Sequence, residues 1–597
     1  MSYILGINAH HGDSSACLIK DGILVAAVEE ERFRRIKHWA GFPSESIKYC
    51  LAEAKISLED VGHVAINQDS KANLWKKVGF TLSKRPDLGL VIDRIKNKRE
   101  RANVNDELKR AVGVGFSGQV HEVEHHLAHL SSAFHVSPFD KAVVVSVDGF
   151  GDFASAAWGV GRGVDISIDD KVYFPHSLGI FYQALTQFIG FPHYGDEYKV
   201  MGLAPYGKPA YLNQMRKIVL LQPDGSFKLN LECFRHHNEK VDYEWDGGTP
   251  SVGTLFAQGL VDLMGPARRK DEPLTQHHMD IARSVQEMYE EAFFHLLNVL
   301  HALHKLDNLA IAGGCGMNSV ANGKVLLKTP FKQIYIQSAA GDAGGAIGAA
   351  FSVWFEQLEN RKIFEFAHLK KTILPSSRPF IMDHAYWGPE FNNEQIGQLL
   401  DARSADILAQ GCTVSRVDNE SKLCHQTAEA VARGEVIGWF QGRMEWGPRA
   451  LGNRSIIGDP RRADMKDILN LKIKRRESFR PFAPSVLQSA VPEWFEQDGD
   501  VPFMMQVYQI RQDKRHQIPA VTHVDGSGRL QTVYQLTNPR YHALISAFRD
   551  ITGVPMVLNT SFNENEPVVC KPEEALDCFL RTKIDMLVMG NWVVIRA

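Results

Sequence analysis

The sequence predicts a two-domain α/β protein, and three observations carry that expectation. Its 597 residues exceed what one hydrophobic core organises, which calls for two large domains or three ordinary ones. Apolar strand-like runs alternate with helical stretches along most of the chain, the pattern of α/β architecture. Between about 358 and 390 that regularity gives way to charges, to ILPSSRPF with its two prolines and to WGPEFNN. This stretch reads as a linker between a domain over 1–365 and a second over 390–597.

The elements follow in order. Tyr3–Asn8 and Ser15–Lys20 read as strands, and Asp21-Gly22 joins the second of them to Ile23–Val28 in a β-hairpin. Ala142–Val147 and Ala154–Gly159 read as strands, and His277–His304 as a long helix. Leu309–Ala312 and Gln333–Gln337 look like buried strands and Ala346–Phe355 like a helix. Beyond the linker, Ala428–Arg433 reads as helix and Val436–Phe440 as strand, and Met586–Arg596 forms a closing strand pair turning at Gly590-Asn591. No short exact repeat is visible, although each half offers a Gly-rich strand-to-turn segment.

Composition excludes several classes of function. Apolar residues make up 44% and charged residues 23%, the balance of an ordinary globular protein. A formal charge of -3 argues against the broad basic surface that a nucleic-acid partner requires. The eight cysteines, Cys17, Cys50, Cys233, Cys315, Cys412, Cys424, Cys570 and Cys578, form no CxxC pair, so neither structural zinc nor a redox motif is expected. There is no secretory pattern at the start and no apolar run of about 18 residues, so no membrane association is expected and a reducing cytoplasm is the simplest location.

Two constellations carry chemistry. The segment VEHHLAHLSSAFHV places His125 and His129 four residues apart, on one face of a helix. Asp148 ends the apolar run VVVSVD, and Asp342 follows the Gln333–Gln337 strand in SAAGDAGGAIGAA. Two histidines and two carboxylates would suit Fe(II), Mn(II) or Zn(II) better than a thiophilic metal. Taken alone, an i,i+4 histidine pair is more often a core or solvated pair than a ligand set. Strand-end aspartates also serve without metal, and His126 and His135 are nearby decoys. The turns IAGGCGMNSVAN and AAGDAGGAIGAA are glycine-rich, which either lets backbone N–H groups approach phosphate or packs a tight turn against a helix. Neither has the spacing of a Walker A loop or of GxGxxG.

The second constellation is basic. GRMEWGPRALGNRSIIGDPRR and NLKIKRRESFRPFAPSV are dense in cations, and Arg449, Lys474 and Arg480 could converge on phosphate groups. A solvated basic face is the usual reading of a charge run. Here the interleaved Phe479, Pro481, Phe482 and Pro484 disfavour it. HVDGSGRLQTV adds Arg529, and LNTSFNENEPVV adds Ser561, whose hydroxyl either bonds a phosphate or caps a turn.

The motifs GINAHHGDSSACLI, the HxxxH segment, DEYKVMGLAPYG, GGCGMN and the GDAGG turn, together with the basic segments beyond 430, resemble the NodU/CmcH family of O-carbamoyltransferases. The likeness runs through most of 1–355 and through roughly 430–597. It implies an N-terminal actin/hexokinase-like (Kae1-like) domain and a C-terminal YrdC-like α/β domain. It further implies that His125, His129, Asp148 and Asp342 hold a divalent metal, with iron as Fe(II), and that Gly313, Gly314 and Asn318 form an adenylate-holding turn. Arg449, Lys474, Arg480, Arg529 and Ser561 fall on the nucleotide and carbamoyl phosphate site, where Mg2+ is admitted with ATP. Among these, Arg449, Lys474, Arg480, His125 and Asp148 are the expected catalytic residues. The implied chemistry has two steps: carbamoyl phosphate and ATP give carbamoyl-adenylate, and its carbamoyl group passes to a hydroxyl of a small-molecule acceptor.

His10, His11 and Glu30, within the run Glu29-Glu30-Glu31, lie where the first domain could form an acceptor cleft, and strand-end packing accounts for them equally well. Relatives form dimers, so a homodimer is admitted. A tRNA-threonylcarbamoyladenosine enzyme joins the same fold types but would need a basic surface for tRNA. Hydrogenase-maturation carbamoyltransferases carry CxxC motifs that are missing here. A noncatalytic nucleotide-binding module would leave both constellations unexplained.

Overall fold

The computed structural model describes residues 2–84, 103–239, 241, 243–244, 247–366, 378–474 and 476–596. The chain divides into two compact units, Met1–Asn318 with Val325–Met382, and Ser319–Lys324 with Asp383–Ala597. The expected linker needs correction at its start: the helix expected over Ala346–Phe355 spans Gly344–Phe366, because nothing before Pro375 interrupts it. Positions 367–377 of that linker lie outside the described residues. Among the described residues, no helix is long and apolar enough to cross a membrane.

The first unit is built on two five-stranded sheets. In the first sheet β1 (Tyr3–Asn8), β2 (Ser15–Lys20) and β3 (Ile23–Glu29) are antiparallel neighbours. β4 (His63–Ile66) and β5 (Gln119–Glu122) then extend the other edge in parallel. The β2–β3 hairpin closes through Lys20↔Ile23, with Asp21 at φ 50° and Gly22 at φ 81°. Left-handed dihedrals at both positions are what a tight Asp-Gly turn needs.

The second sheet repeats the plan. β6 (Lys141–Gly151), β7 (Ala154–Arg162) and β8 (Asp165–Tyr173) are antiparallel, and Asn308–Ala312 and Gln333–Ile336 continue from β6 in parallel. Numbered by appearance, both sheets run 3-2-1-4-5 with one pattern of strand directions. This duplicated topology is the actin/hexokinase-like arrangement. No exact sequence repeat announces it, since the topology needs only strand spacing and direction.

Two helices fill the space between these sheets. His125–Phe134 packs on β6, β7 and Asn308–Ala312, Gly344–Phe366 packs on β1, β2 and β4, and the two helices pack on each other. Their backbones meet at Gly348, where an added Cβ would stand 1.7 Å from the Ala128 carbonyl oxygen. Gly348→Ala is therefore expected to cost about 1–3 kcal/mol, the usual range for overpacking. Urea denaturation measures this, and an unchanged midpoint would refute the tight contact.

The second unit holds a nine-stranded mixed sheet. Its strands run Cys412–Arg416, Trp592–Arg596, Met586–Met589, Ile437–Phe440, Arg454–Gly458, Met556–Ser561, Ala483–Leu487, Ser527–Val533 and Gln506–Gln509. The expected closing pair is present, with Met589↔Trp592 in register. Helices Glu420–Ala432 and Pro539–Thr552 pack on each other, and one large apolar core underlies the sheet. Ser561 ends one central strand opposite Ser455 of its neighbour.

Candidate active site

The cluster in the first unit is assembled by local caps. The His125–Phe134 helix starts where the Glu124 carboxylate accepts the Leu127 N–H, an N-cap that satisfies an otherwise orphaned donor. Asp152, in the β6–β7 turn, accepts the His125 N–H at 2.9 Å and the Asp69 N–H at 2.8 Å. With this end fixed, both imidazoles face Asp148. Oδ2 of Asp148 is 3.2 Å from His125 Nε2 and 2.8 Å from His129 Nε2, and the two Nε2 atoms are 3.0 Å apart. Asp342 Oδ1 completes the group at 3.7 Å and 3.5 Å from the same nitrogens.

Burial, and for His125 the adjoining His129, oppose protonation of these histidines. Hydrogen bonds and charge from Asp148 and Asp342 outweigh that and raise both pKa values, that of His129 to about 9. Burial would raise the Asp148 carboxyl, but the two histidines hold it well below the ordinary range. Asp342 is raised by burial and by the Asp148 charge. All four ligating atoms lie within 4.8 Å of one another. Two buried imidazole nitrogens, a shared carboxylate and a fourth carboxylate oxygen close to both nitrogens suit one divalent cation. The decoys are ordinary core histidines: His126 Nδ1 meets Ser146 Oγ at 3.0 Å, and His135 meets Ser131 Oγ at 2.7 Å and the Val164 carbonyl at 2.9 Å. Burial lowers both to about 3.

The GGCGMN turn is bound into this cluster. Gly313 has φ 88°, and a Cβ there would lie 2.2 Å from the Val147 carbonyl oxygen, so only glycine fits. Its N–H donates to Ala340 O at 2.8 Å, and the Gly314 N–H donates to Asp148 Oδ1 at 3.1 Å. Gly149 N–H reaches the same oxygen at 2.7 Å, so backbone donors fix Oδ1 while Oδ2 faces the histidines. The long helix Gln276–His304 holds the rest of the turn, through Gln286 to Asn318 at 3.0 and 3.1 Å and through Tyr289 Oη to Cys315 O at 3.0 Å.

The residues expected at an acceptor cleft separate. The His11 ring lies against His125, with centroids 5.6 Å apart. His10 turns to Glu107, at 3.0 Å. Glu30 is fully buried and spent on structure: its oxygens accept the N–H groups of Glu45 and Ser46 at 3.1 and 2.8 Å and the Ser46 hydroxyl at 2.9 Å, and pair with Arg34 at 2.9 Å. It anchors the Ser44–Ala54 helix and has nothing left for an acceptor.

In the second unit, Lys474 is 2% exposed, and its Nζ donates to Ser561 O at 2.6 Å, Asn563 O at 2.8 Å and Asn563 Oδ1 at 2.6 Å, with Ser561 Oγ at 3.3 Å. Arg480 lies 3.6 Å from Glu477. Burial, followed by the charges of Arg449, Arg476 and Arg480, drives the Arg529 pKa well below the usual guanidinium range. Arg449, Arg480 and Arg529 are thus brought together, with Arg476 as a fourth member that the sequence reading did not single out. Lys474 and Ser561 form a second contact group.

The cysteines are all free, and only Cys315 is not fully buried. Burial and the charges of Asp148 and Glu197 push its thiol pKa well up. Folded protein is expected to react negligibly with a thiol reagent near pH 7.5, and all eight groups should appear on denaturation without reductant. Fewer than eight would reveal a disulfide.

Comparison with known proteins accords with this geometry. Residues 3–351 match the family described as "Carbamoyltransferase N-terminus" and residues 428–596 the one described as "Carbamoyltransferase C-terminus". An uncharacterized protein of Synechocystis sp. is 41% identical, the alignment covering 100% of this chain and 97% of the relative. The nodulation protein NolNO of Sinorhizobium fredii is 36% identical over 98% of this chain and 79% of its own length. Among solved structures, HypF of T. kodakarensis aligns at 13% identity and a TM-score of 0.31, covering 60% of this chain and 48% of that one. With both halves of the chain matched in order, and relatives aligned over nearly its whole length, the chain belongs to the carbamoyltransferase family and is a carbamoyltransferase enzyme.

Proposed function

We propose that the protein is an ATP-dependent O-carbamoyltransferase of two steps. In the second unit carbamoyl phosphate and ATP give carbamoyl-adenylate, with loss of phosphate and pyrophosphate. In the first unit the carbamoyl group passes to a hydroxyl of a small-molecule natural product, and AMP leaves. One observation carries this reading: Arg529 is held, desolvated, among the like charges of Arg449, Arg476 and Arg480. A group of guanidinium forks is suited to several phosphates. Lys474 fixes the Ser561 turn, and its ammonium sets a positive field at the Ser561 hydroxyl.

In the first unit, His125, His129, Asp148 and Asp342 would hold a divalent metal, for which Fe(II) is our reading. Such an ion supplies a Lewis acid for the carbamoyl carbonyl. The Gly149 and Gly314 N–H groups keep Asp148 oriented, as a ligand carboxylate requires. The setting we propose is a reducing cytoplasm, where the thiols stay free.

The test is pyrophosphate release by purified protein, which should require both ATP and carbamoyl phosphate. A mass-spectrometric screen of hydroxylated natural products for the gain of one carbamoyl group then identifies the acceptor. Pyrophosphate release independent of carbamoyl phosphate would sink the activation step. Elemental analysis is expected to find about one divalent transition metal per chain, and Asp148→Ala should lose most of it. Metal-free protein that transfers at full rate would overturn the metal assignment.

A further inference from the structure

The motif DEYKVMGLAPYG has a use that the metal and phosphate sites leave open. Its Asp196 is taken by Lys199, at 2.8 Å, which pins the start of the helix Glu197–Leu203. Glu197, the next residue, is half-buried, and its carboxylate takes part in no hydrogen bond with another described residue. The surroundings place it. The Tyr194 hydroxyl abuts Gly12, where a Cβ would stand 2.6 Å from it, and the His38 ring meets Tyr194 edge-on with centroids 5.4 Å apart. His38 Nδ1 is paired with Asp13 Oδ1 at 2.8 Å. Gly195, two residues before Glu197, lies against His38, whose Nε2 would stand 2.5 Å from a Cβ there. The helix that Glu197 starts packs on Leu178–Phe188 and on Gln276–His304, which carry Tyr182 and Glu290, and the second of these bonds Asn318 and the Cys315 carbonyl of the GGCGMN turn. Glu197 thus lies near the Asp13–His38 pair, and its charge reaches Tyr182, Tyr194 and Cys315.

Transfer to a hydroxyl needs a base, because a neutral alcohol is a weak nucleophile. His125, His129, Asp148 and Asp342 are committed to one another, and Asp13 is held by His38. We propose that Glu197 is the general base of the transfer step, taking the proton of the acceptor hydroxyl as that oxygen attacks the carbamoyl carbon. The new carbon–oxygen bond forms, the bond from that carbon to the adenylate phosphate oxygen breaks, and AMP departs with the electron pair. The proton stays on Glu197 until it passes to solvent. Burial, aided by the charges of Asp196 and Asp13 and opposed by its own backbone N–H and by His38, raises the Glu197 pKa to about 7. The assignment rests on the carbamoyl-adenylate reading of the previous section.

Two probes test it in the full-length, metal-loaded protein supplied with ATP and carbamoyl phosphate. Glycerol needs deprotonation, whereas hydroxylamine attacks as the neutral amine and yields hydroxyurea. Wild type should form both products, its glycerol rate rising through a limb near pH 7. Glu197→Gln should lower carbamoylation of glycerol by about 100-fold or more, erase that limb and keep hydroxyurea formation within about threefold; Glu197→Asp should restore part of the glycerol rate. Equal loss of both products, an unchanged pH limb, or transfer of the whole effect to His11→Asn overturns the assignment. Pyrophosphate release without either product in wild type overturns the transfer role of the first unit and this base with it. Absence of pyrophosphate release instead condemns the activation reading, a failure distinct from that of Glu197.

Discussion

Carbamoyl phosphate-dependent pyrophosphate release collapses in Arg449→Ala and Arg529→Met and survives in His125→Ala and Asp148→Ala. Each guanidinium removed takes away charge-assisted bonds to phosphate worth about 1.5–3 kcal/mol, or roughly 10- to 150-fold in rate, with more where charge develops in the transition state. The histidine and aspartate variants leave the second unit's residues untouched, so only acceptor carbamoylation fails in them. Supplying preformed carbamoyl-adenylate rescues transfer in the arginine variants alone. Loss of both half-reactions in a folded His125→Ala protein would refute this division of labour.

Two arginines of the second unit, Arg454 buried and Arg529 half-buried, are expected to respond to substitution in opposite directions. Arg454 is fully buried, and its guanidinium donates to the carbonyls of Gln441, Asn453, Pro389 and Gly442 while stacking 3.8 Å above the Phe440 ring. Burial lowers its pKa to about 10, so it stays charged at neutral pH. Beside it, Glu445 Oε1 accepts the N–H groups of Leu451, Asn453 and Arg454. Arg454→Met strands four buried carbonyls and should cost about 3–5 kcal/mol. Arg529 is instead surrounded by cations. Arg529→Met relieves that repulsion and should stabilise the ligand-free protein by about 1 kcal/mol or more while abolishing activation. Thermal or urea unfolding measures both, and a shift of the same sign in the two variants would refute the distinction.

That contrast marks where sequence reading stops. GRMEWGPRALGNR shows a density of arginine, but nothing in it tells that carbonyls of its own loop, with Pro389, enclose Arg454 while Arg449 faces Arg529. The histidine–aspartate cluster was more legible because an i,i+4 pair is a local helical relation and both aspartates follow apolar strand-like runs. The hairpin at Asp21-Gly22, the long helix and the closing strand pair were readable for the same local reason. β8 was missed: its residues DISIDDKVY are mostly exposed, so charge hides the alternation. Glu30 misled because its partners at Glu45 and Ser46 lie far along the chain, and an acidic run gives no sign of which carboxylate is buried. Glu197 carried no signal beyond its neighbours Asp196 and Lys199.

The doubled 3-2-1-4-5 sheet has a consequence for how one scaffold came to hold two different trades. At the head of the first half's central strand stands Asn8, whose amide donates to the carbonyls of Gly12 and Asp13 at 3.2 and 2.9 Å and so knots its own loop shut. At the matching end of β6 stands Asp148, nearly isosteric with it, whose extra negative charge turns outward to a pair of imidazoles. A difference of one oxygen against one nitrogen thus separates the half that serves as masonry from the half that serves as chemistry. The first sheet, closed on itself at that end, leaves the histidine–aspartate cluster to the second.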